Sequence, residues 1–224
     1  MGINVTRHRK VLVLAVLSLT VALAAQNPPA QNPPQNPPAG AQPPQPGRGG
    51  GRGGGGRGVQ VMTLSTTAWL DGGTIPARHA QSGGEVSPPL AWSNVPDGVG
   101  SFVLIVRDLD AAARSARGSA TTDFLHWLIW NVPGTARALP EGVPHESDLP
   151  DGSRQIGATG PGYRGPGAPA DGPPYHYVFE LFALDSPLEV PAVGASPDET
   201  RAAVFAAMTG KVRGKATLVG TFKR

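Results

Sequence analysis

The sequence contains no cysteine, which excludes a disulfide scaffold, a thiolate zinc site, an iron–sulfur cluster and a cysteine nucleophile. Aromatic residues make up only 6% of its 224 positions. No apolar run reaches the ~20 residues that a helix needs to cross a bilayer. Familiar catalytic signatures are missing as well: there is no G-x-S-x-G elbow, no Walker phosphate loop, no G-x-G-x-x-G between a strand and a helix, and no H-E-x-x-H. A ready-made hydrolase or nucleotide-binding reading therefore has no anchor.

Glycine and proline are abundant, at 31 and 25 residues, but unevenly placed. Residues 26–58 hold nine of the prolines and ten of the glycines and contain no Leu, Ile, Phe or Trp, so this stretch cannot bury a core. Charge is uneven too. The formal balance is +3, yet Arg7, Arg9, Lys10, Arg48, Arg52 and Arg57 all precede residue 59, and the remainder carries 13 basic residues against all 16 acids. The folded part is thus mildly acidic, and no nucleic-acid partner is expected.

The first 25 residues have the layout of a secretory signal peptide. Arg7, Arg9 and Lys10 precede the run VLVLAVLSLTVALAA, which is apolar apart from Ser18 and Thr20, and Ala22-Leu23-Ala24 supplies a small-residue cleavage site. Export is expected, periplasmic or secreted, with cleavage near Ala24 or Ala25. A lipid anchor is not expected, because no Cys follows the cleavage site, and neither is stable membrane insertion of the mature chain. Residues 26–58 begin with a QNPP repeat and end in an Arg/Gly-rich run. This predicts a disordered linker, stiff where proline recurs and flexible where glycine follows.

From residue 59 to 224 the chain turns to short strand-like runs punctuated by turns, long enough for one domain. Val59 to Leu64 alternates, Ser87 to Trp92 is extended by its prolines, and Ser101 to Val106 is continuously apolar. Strict alternation over Phe124 to Val132 would put Phe124, His126, Leu128 and Trp130 on one face, and over Tyr175 to Leu184 would align Tyr175, Tyr177, Phe179 and Leu181. One helix is signalled by the capping box Ser196-Pro197-Asp198-Glu199, with Val204, Phe205 and Met208 as its apolar stripe and Gly210 as its stop. Lys215 to Phe222 reads as a last strand. The pattern predicts a mainly β domain without β–α–β alternation.

Polar groups in or at the ends of apolar strands are the candidates for chemistry, since leaving water costs free energy without a partner. These are Asp108, Asp110, His126, Tyr175, His176 and Tyr177. Pairing of the Asp108 and His126 strands would let the carboxylate set the imidazole tautomer and favour its charged form, a donor for an anionic oxygen. The structural alternative is a core histidine bonded to backbone and an aspartate capping a turn. The loop Gly157 to Pro174, with eleven Gly and Pro among its eighteen residues, either offers backbone N–H groups to such a pocket or is a surface connection.

The order Ser87-Pro-Pro-Leu-Ala-Trp92, Phe102-Val-Leu-Ile-Val-Arg-Asp108-Leu-Asp110, His126-Trp127 with Asn131-Val-Pro133, and Gly162-Tyr163 leading to Gly172-Pro-Pro-Tyr-His-Tyr-Val-Phe179 resembles the phosphatidylethanolamine-binding protein family, in its bacterial Raf kinase inhibitor-like branch. The resemblance covers residues 60–224. It implies an antiparallel β-sandwich with Greek-key connections and a C-terminal helix, and a small pocket for a phosphate-type anion or phospholipid head group. The family's D-P-D-x-P segment falls on Asp108 to Ala112, keeping both carboxylates and losing both prolines, and its histidine falls on His126. Its H-R-Y triplet falls on Tyr175-His176-Tyr177, so a phenol replaces the ligand-facing histidine, and either anion affinity is weaker than in a two-histidine pocket or the ligand is a less charged one.

The expected function is an exported binding or regulatory protein, not an enzyme, with Asp108, Asp110, His126, Tyr175 and Tyr177 around its ligand. No cofactor and no metal are expected. The alternatives are an exported hydrolase in which Asp108 and His126 activate water, and a tethered module that inhibits or scaffolds a protein partner through its surface.

Overall fold

The computed structural model describes residues 58–111, 123–191 and 196–224. The expected leader and linker, apart from Gly58, lie outside these residues, as does most of the polar loop that follows Asp108.

The sequence runs become strands β1 (Gln60–Val61), β2 (Thr63–Ser65), β3 (Leu90–Ser93), β4 (Ser101–Asp108), β5 (Phe124–Pro133), β6 (Ala138–Leu139), β7 (Arg154–Gly157), β8 (Tyr175–Leu184) and β9 (Val212–Phe222), with helix α1 (Pro197–Met208) before the last. Six strands form one sheet in the order β1-β9-β8-β4-β5-β7, and three form a second in the order β2-β3-β6. Within the larger sheet β4, β5 and β7 follow one another and β8 returns by a long connection to lie beside β4. That is the strand order of a Greek key.

The central strands are apolar on both faces because both faces are covered. Phe102, Leu104, Val106, Trp127, Ile129, Phe179 and Leu181 share one buried cluster with Leu64, Leu90, Trp92 and Leu139 of the smaller sheet. Val103, Ile105, Leu128 and Trp130 share another with Leu188, Val190 and the α1 residues Val204 and Met208. The result is mainly β, as the sequence pattern predicts, and a sandwich with a helix on its outer face, as the family resemblance implies. Charged groups fasten that helix to the central strands: Asp123 accepts Arg107 of β4 at 2.6 Å and Arg201 of α1 at 2.7 Å, while Glu180 of β8 pairs with Arg107 and Lys215.

The capping box forms, with the Ser196 side chain accepting the Glu199 N–H and the Glu199 side chain accepting the Ser196 N–H. Three local expectations are corrected. The alternating run Val59 to Leu64 is two strands, β1 parallel to β9 and β2 antiparallel to β3, because the chain crosses from one sheet to the other at Met62. Phe205 is not part of the buried stripe of α1, being 39% exposed; Thr200, Val204 and Met208 point inward instead, a strict i, i+4 row. Alternation along β5 breaks at His126: Val106 pairs with Trp127 and Arg107 with Leu125, so His126 is a bulged residue. Leu128 and Trp130 therefore face the helix, while His126 lies against Tyr177 on the other side of the sheet.

Among the described residues no helix is long and apolar enough to cross a membrane.

Candidate binding pocket

The order β8-β4-β5 brings three strand ends together. Asp108 ends β4, and its register partners are Tyr177 of β8 and Phe124 of β5. The β5 bulge turns the His126 side chain toward the same spot, the re-aiming that bulges beside functional sites provide. The cavity there, about 250 Å³, is lined by Asp108, Ala111, Phe124, His126 and Tyr175, with Gln81, Gly167 and Pro169 closing it from two loops.

Asp108 is 3% exposed. Its Oδ1 accepts the N–H groups of Asp110 at 2.8 Å and Ala111 at 3.0 Å, and the carboxylate also accepts from the Tyr177 hydroxyl. Burial nevertheless raises its pKa above the ordinary carboxylate value, helped by the nearby Asp110 charge and opposed by those hydrogen bonds. Asp108 Oδ2 lies 4.0 Å from His126 Nε2.

His126 is equally buried, and its Nδ1 lies 2.9 Å from the Arg164 carbonyl oxygen. A carbonyl only accepts, so Nδ1 carries the proton and donates. In the neutral ring this leaves Nε2 as an acceptor facing Asp108. Burial pushes the His126 pKa down to about 4, a shift reinforced by the Arg164 charge and only partly opposed by the carbonyls of Arg164 and Gly165. The expectation that Asp108 sets the tautomer and favours the charged imidazole is thus corrected: the Arg164 carbonyl sets it, and loss of water outweighs a carboxylate 4.0 Å away. Both structural alternatives hold, since His126 is bonded to backbone and Asp108 caps a turn, yet both side chains still reach the cavity.

Tyr175 lines the cavity directly. Tyr177 stands behind it, its ring edge-on to His126 at 5.1 Å between centroids and its hydroxyl accepting the Gly167 N–H at 3.3 Å. Burial raises the Tyr177 pKa, with the Asp108 charge adding to the effect. His176 points to the opposite face, as strand parity requires. Asp110 is drawn there with it, its Oδ2 2.8 Å from His176 Nδ1 and accepting the His176 N–H at 2.6 Å. The expectation that Asp110 joins the ligand site is therefore not met.

The loop 157–174 contributes through its carbonyls and its wall rather than through the N–H groups of Gly165 and Gly167. Gly165 N–H donates to Glu85 and Gly167 N–H to Tyr177, so neither forms an anion nest, while the Arg164 carbonyl orients His126. Gln81 also lines the cavity, although nothing in its sequence neighbourhood marks it. It is held by its Nε2 donating to the Gly165 carbonyl at 3.0 Å.

Residues 65–223 match the family model described as phosphatidylethanolamine-binding protein. A UPF0098 protein of Methanothermobacter thermautotrophicus is 39% identical over 165 residues, covering 73% of this chain and 99% of the relative. A Mycobacterium tuberculosis relative that carries a lipoprotein name, LppC, is 29% identical and spans 97% of this chain and 98% of its own. Among solved structures, the phosphatidylethanolamine-binding protein homologue CT736 of Chlamydia trachomatis superposes with a TM-score of 0.61 at 27% identity, covering 74% of this chain and 99% of that one. YbcL of Escherichia coli, at 24% identity and a TM-score of 0.61 over 73% and 98% of the two chains, shares the fold.

Proposed function

Because this chain belongs to the phosphatidylethanolamine-binding protein family, we propose that it is an exported, non-enzymatic binding protein whose pocket takes a phosphate-type group, free or as a head group. The observation that carries this reading is the convergence of Asp108, His126 and Tyr175 on one small cavity at the ends of β4, β5 and β8. Orienting polar groups in an otherwise apolar concavity are what a small-ligand site requires. The cavity lining holds no serine, threonine or cysteine nucleophile among the described residues, which supports binding over acyl transfer.

Calorimetric titration with inorganic phosphate and phosphoethanolamine at two pH values tests the reading. We expect His126→Ala to weaken binding by about tenfold, the effect of one lost hydrogen bond in a desolvated site. Tyr175→His should tighten it below about pH 6.5, where an unperturbed imidazole is charged. His176→Ala should change little, because that side chain pairs with Asp110 on the other face. Loss of binding in His176→Ala alone would overturn the site. Turnover of an ester panel that vanishes in His126→Ala would make the protein a hydrolase.

Export is supported by the order of charged, apolar and small residues in positions 1–25 and by similarity to the lipoprotein-named relative over 97% of the chain. With no cysteine, this chain has no thiol for a lipid anchor. N-terminal sequencing of protein from the producing cell should begin just after Ala24 or Ala25. Recovery of intact Met1 in the membrane fraction would refute cleavage.

A further inference from the structure

The polar atoms that face the cavity have an unexpected balance for a site that takes a phosphate. His126 Nδ1 is engaged by the Arg164 carbonyl, so Nε2 accepts, and the neighbouring Asp108 Oδ2, 4.0 Å away, also accepts. Among the described residues no lysine or arginine lines the cavity. The N–H groups of Gly165 and Gly167 in the flanking loop are already bound to Glu85 and Tyr177. A fully ionised phosphate would bring only acceptor oxygens to two acceptors, one of them a carboxylate. A singly protonated phosphate brings one P–O–H, and two acceptors 4.0 Å apart are suitably spaced to share that donor.

Resting on the phosphate reading above, we propose that this pocket selects a phosphate that carries its own proton, namely the monoanion of a phosphate monoester or of inorganic phosphate, over a phosphodiester such as an intact phospholipid head group. The P–O–H donates to Asp108 Oδ2 or His126 Nε2, beside the wall that Tyr175 forms. No bond is made or broken beyond this sharing of one proton. A diester at neutral pH has no such proton, and its anionic oxygens meet the carboxylate directly.

The surrounding charges favour this balance. Burial moves the Asp108 pKa up and the His126 pKa down to about 4, so near neutral pH the pair supplies no cation. Of the other titratable groups, Tyr177 on β8 donates to Asp108, Tyr175 on the same strand lines the wall, and Asp110 beyond β4 adds a negative charge. Arg164 on the loop has its guanidinium 3.6 Å from Glu85. Arg107, next to Asp108 in sequence, faces the opposite side and is paired with Asp123 and Glu180.

Titration of the full mature chain with methyl phosphate, dimethyl phosphate and ethanolamine between about pH 5 and 8 decides the matter, because a phosphate monoester loses its second proton near about pH 6. We expect methyl phosphate affinity to fall about tenfold per pH unit above that value, with uptake of about one proton per ligand bound in the upper range. Dimethyl phosphate should bind at least about tenfold more weakly than the monoester at about pH 6. Vesicles containing phosphatidylethanolamine should not compete. Asp108→Asn keeps an oxygen for the two turn N–H groups and removes the carboxylate, so it should narrow the gap between monoester and diester and flatten the pH profile. Equal binding of the two esters, or a pH-independent monoester affinity, overturns this proposal and leaves the phosphate pocket standing. Ethanolamine binding as tightly as methyl phosphate would show that the acceptor pair reads an ammonium and would also overturn it. If neither phosphate ester nor inorganic phosphate binds at any pH, the proposed function falls as well.

Discussion

Trp127→Ala should lower the free energy of unfolding by about 3–5 kcal/mol, the range for truncating a large buried aromatic. Trp127 is fully buried between the two sheets, and its ring meets Tyr163 edge-on at 5.7 Å. The indole Nε1 donates to Gln155 Oε1 at 2.8 Å, and the Gln155 amide donates to the carbonyls of Pro144 and Glu146. Alanine would open a cavity and also leave a buried amide oxygen without its donor, so the two costs act together. Trp127→Phe separates them: it keeps most of the packing and should cost only about 1–3 kcal/mol for the unmet acceptor. Urea unfolding followed by circular dichroism measures both variants. A loss below about 1 kcal/mol for the alanine variant would contradict the close packing of this layer.

Gly165→Ala should abolish most ligand binding, by more than about tenfold, at a stability cost of about 1–3 kcal/mol. A methyl group at this position would sit 2.5 Å from the His79 carbonyl oxygen and 2.9 Å from the Ala80 carbonyl carbon. Both are backbone atoms with little freedom to yield, so the loop must move away. Displacing it shifts the Arg164 carbonyl that orients His126 and the Gly165 carbonyl that holds Gln81. His126 then loses its defined tautomer, and the cavity loses one wall. Calorimetry with phosphate, alongside a thermal melt, reads the two effects. Gly58→Ala is the control, because nothing lies within 4 Å of the added carbon. Undiminished binding by Gly165→Ala would mean that the loop does not set the His126 geometry.

Much of the frame was legible because its causes are local. The continuous apolar run of β4 and the period-two run of β8 needed only turn residues at their ends to be read as strands. The capping box of α1 depends on residues 196 to 199 alone. Asp108, His126, Tyr175 and Tyr177 stood out as polar groups embedded in such runs, and the structure does bring them together. Asp110 stood out on the same grounds, yet it turns away to His176, since two residues past a strand end the chain's direction is set by the turn that follows.

What the chain order could not reveal is the chemical character of the pocket. Local alternation places Leu128 and Trp130 on the same side as His126, whereas the bulge that separates them arises from how β5 registers against β4. Composition suggests a charged imidazole beside a carboxylate. Burial makes that charge costly, and a carbonyl 38 residues further along the chain accepts the hydrogen bond from Nδ1–H. Strands, caps and the identity of the polar residues follow from short-range periodicity and side-chain chemistry. Which of those residues share a cavity, and which of their atoms donate or accept, follows from desolvation and long-range hydrogen bonding, which exist only once the sheets have closed over one another.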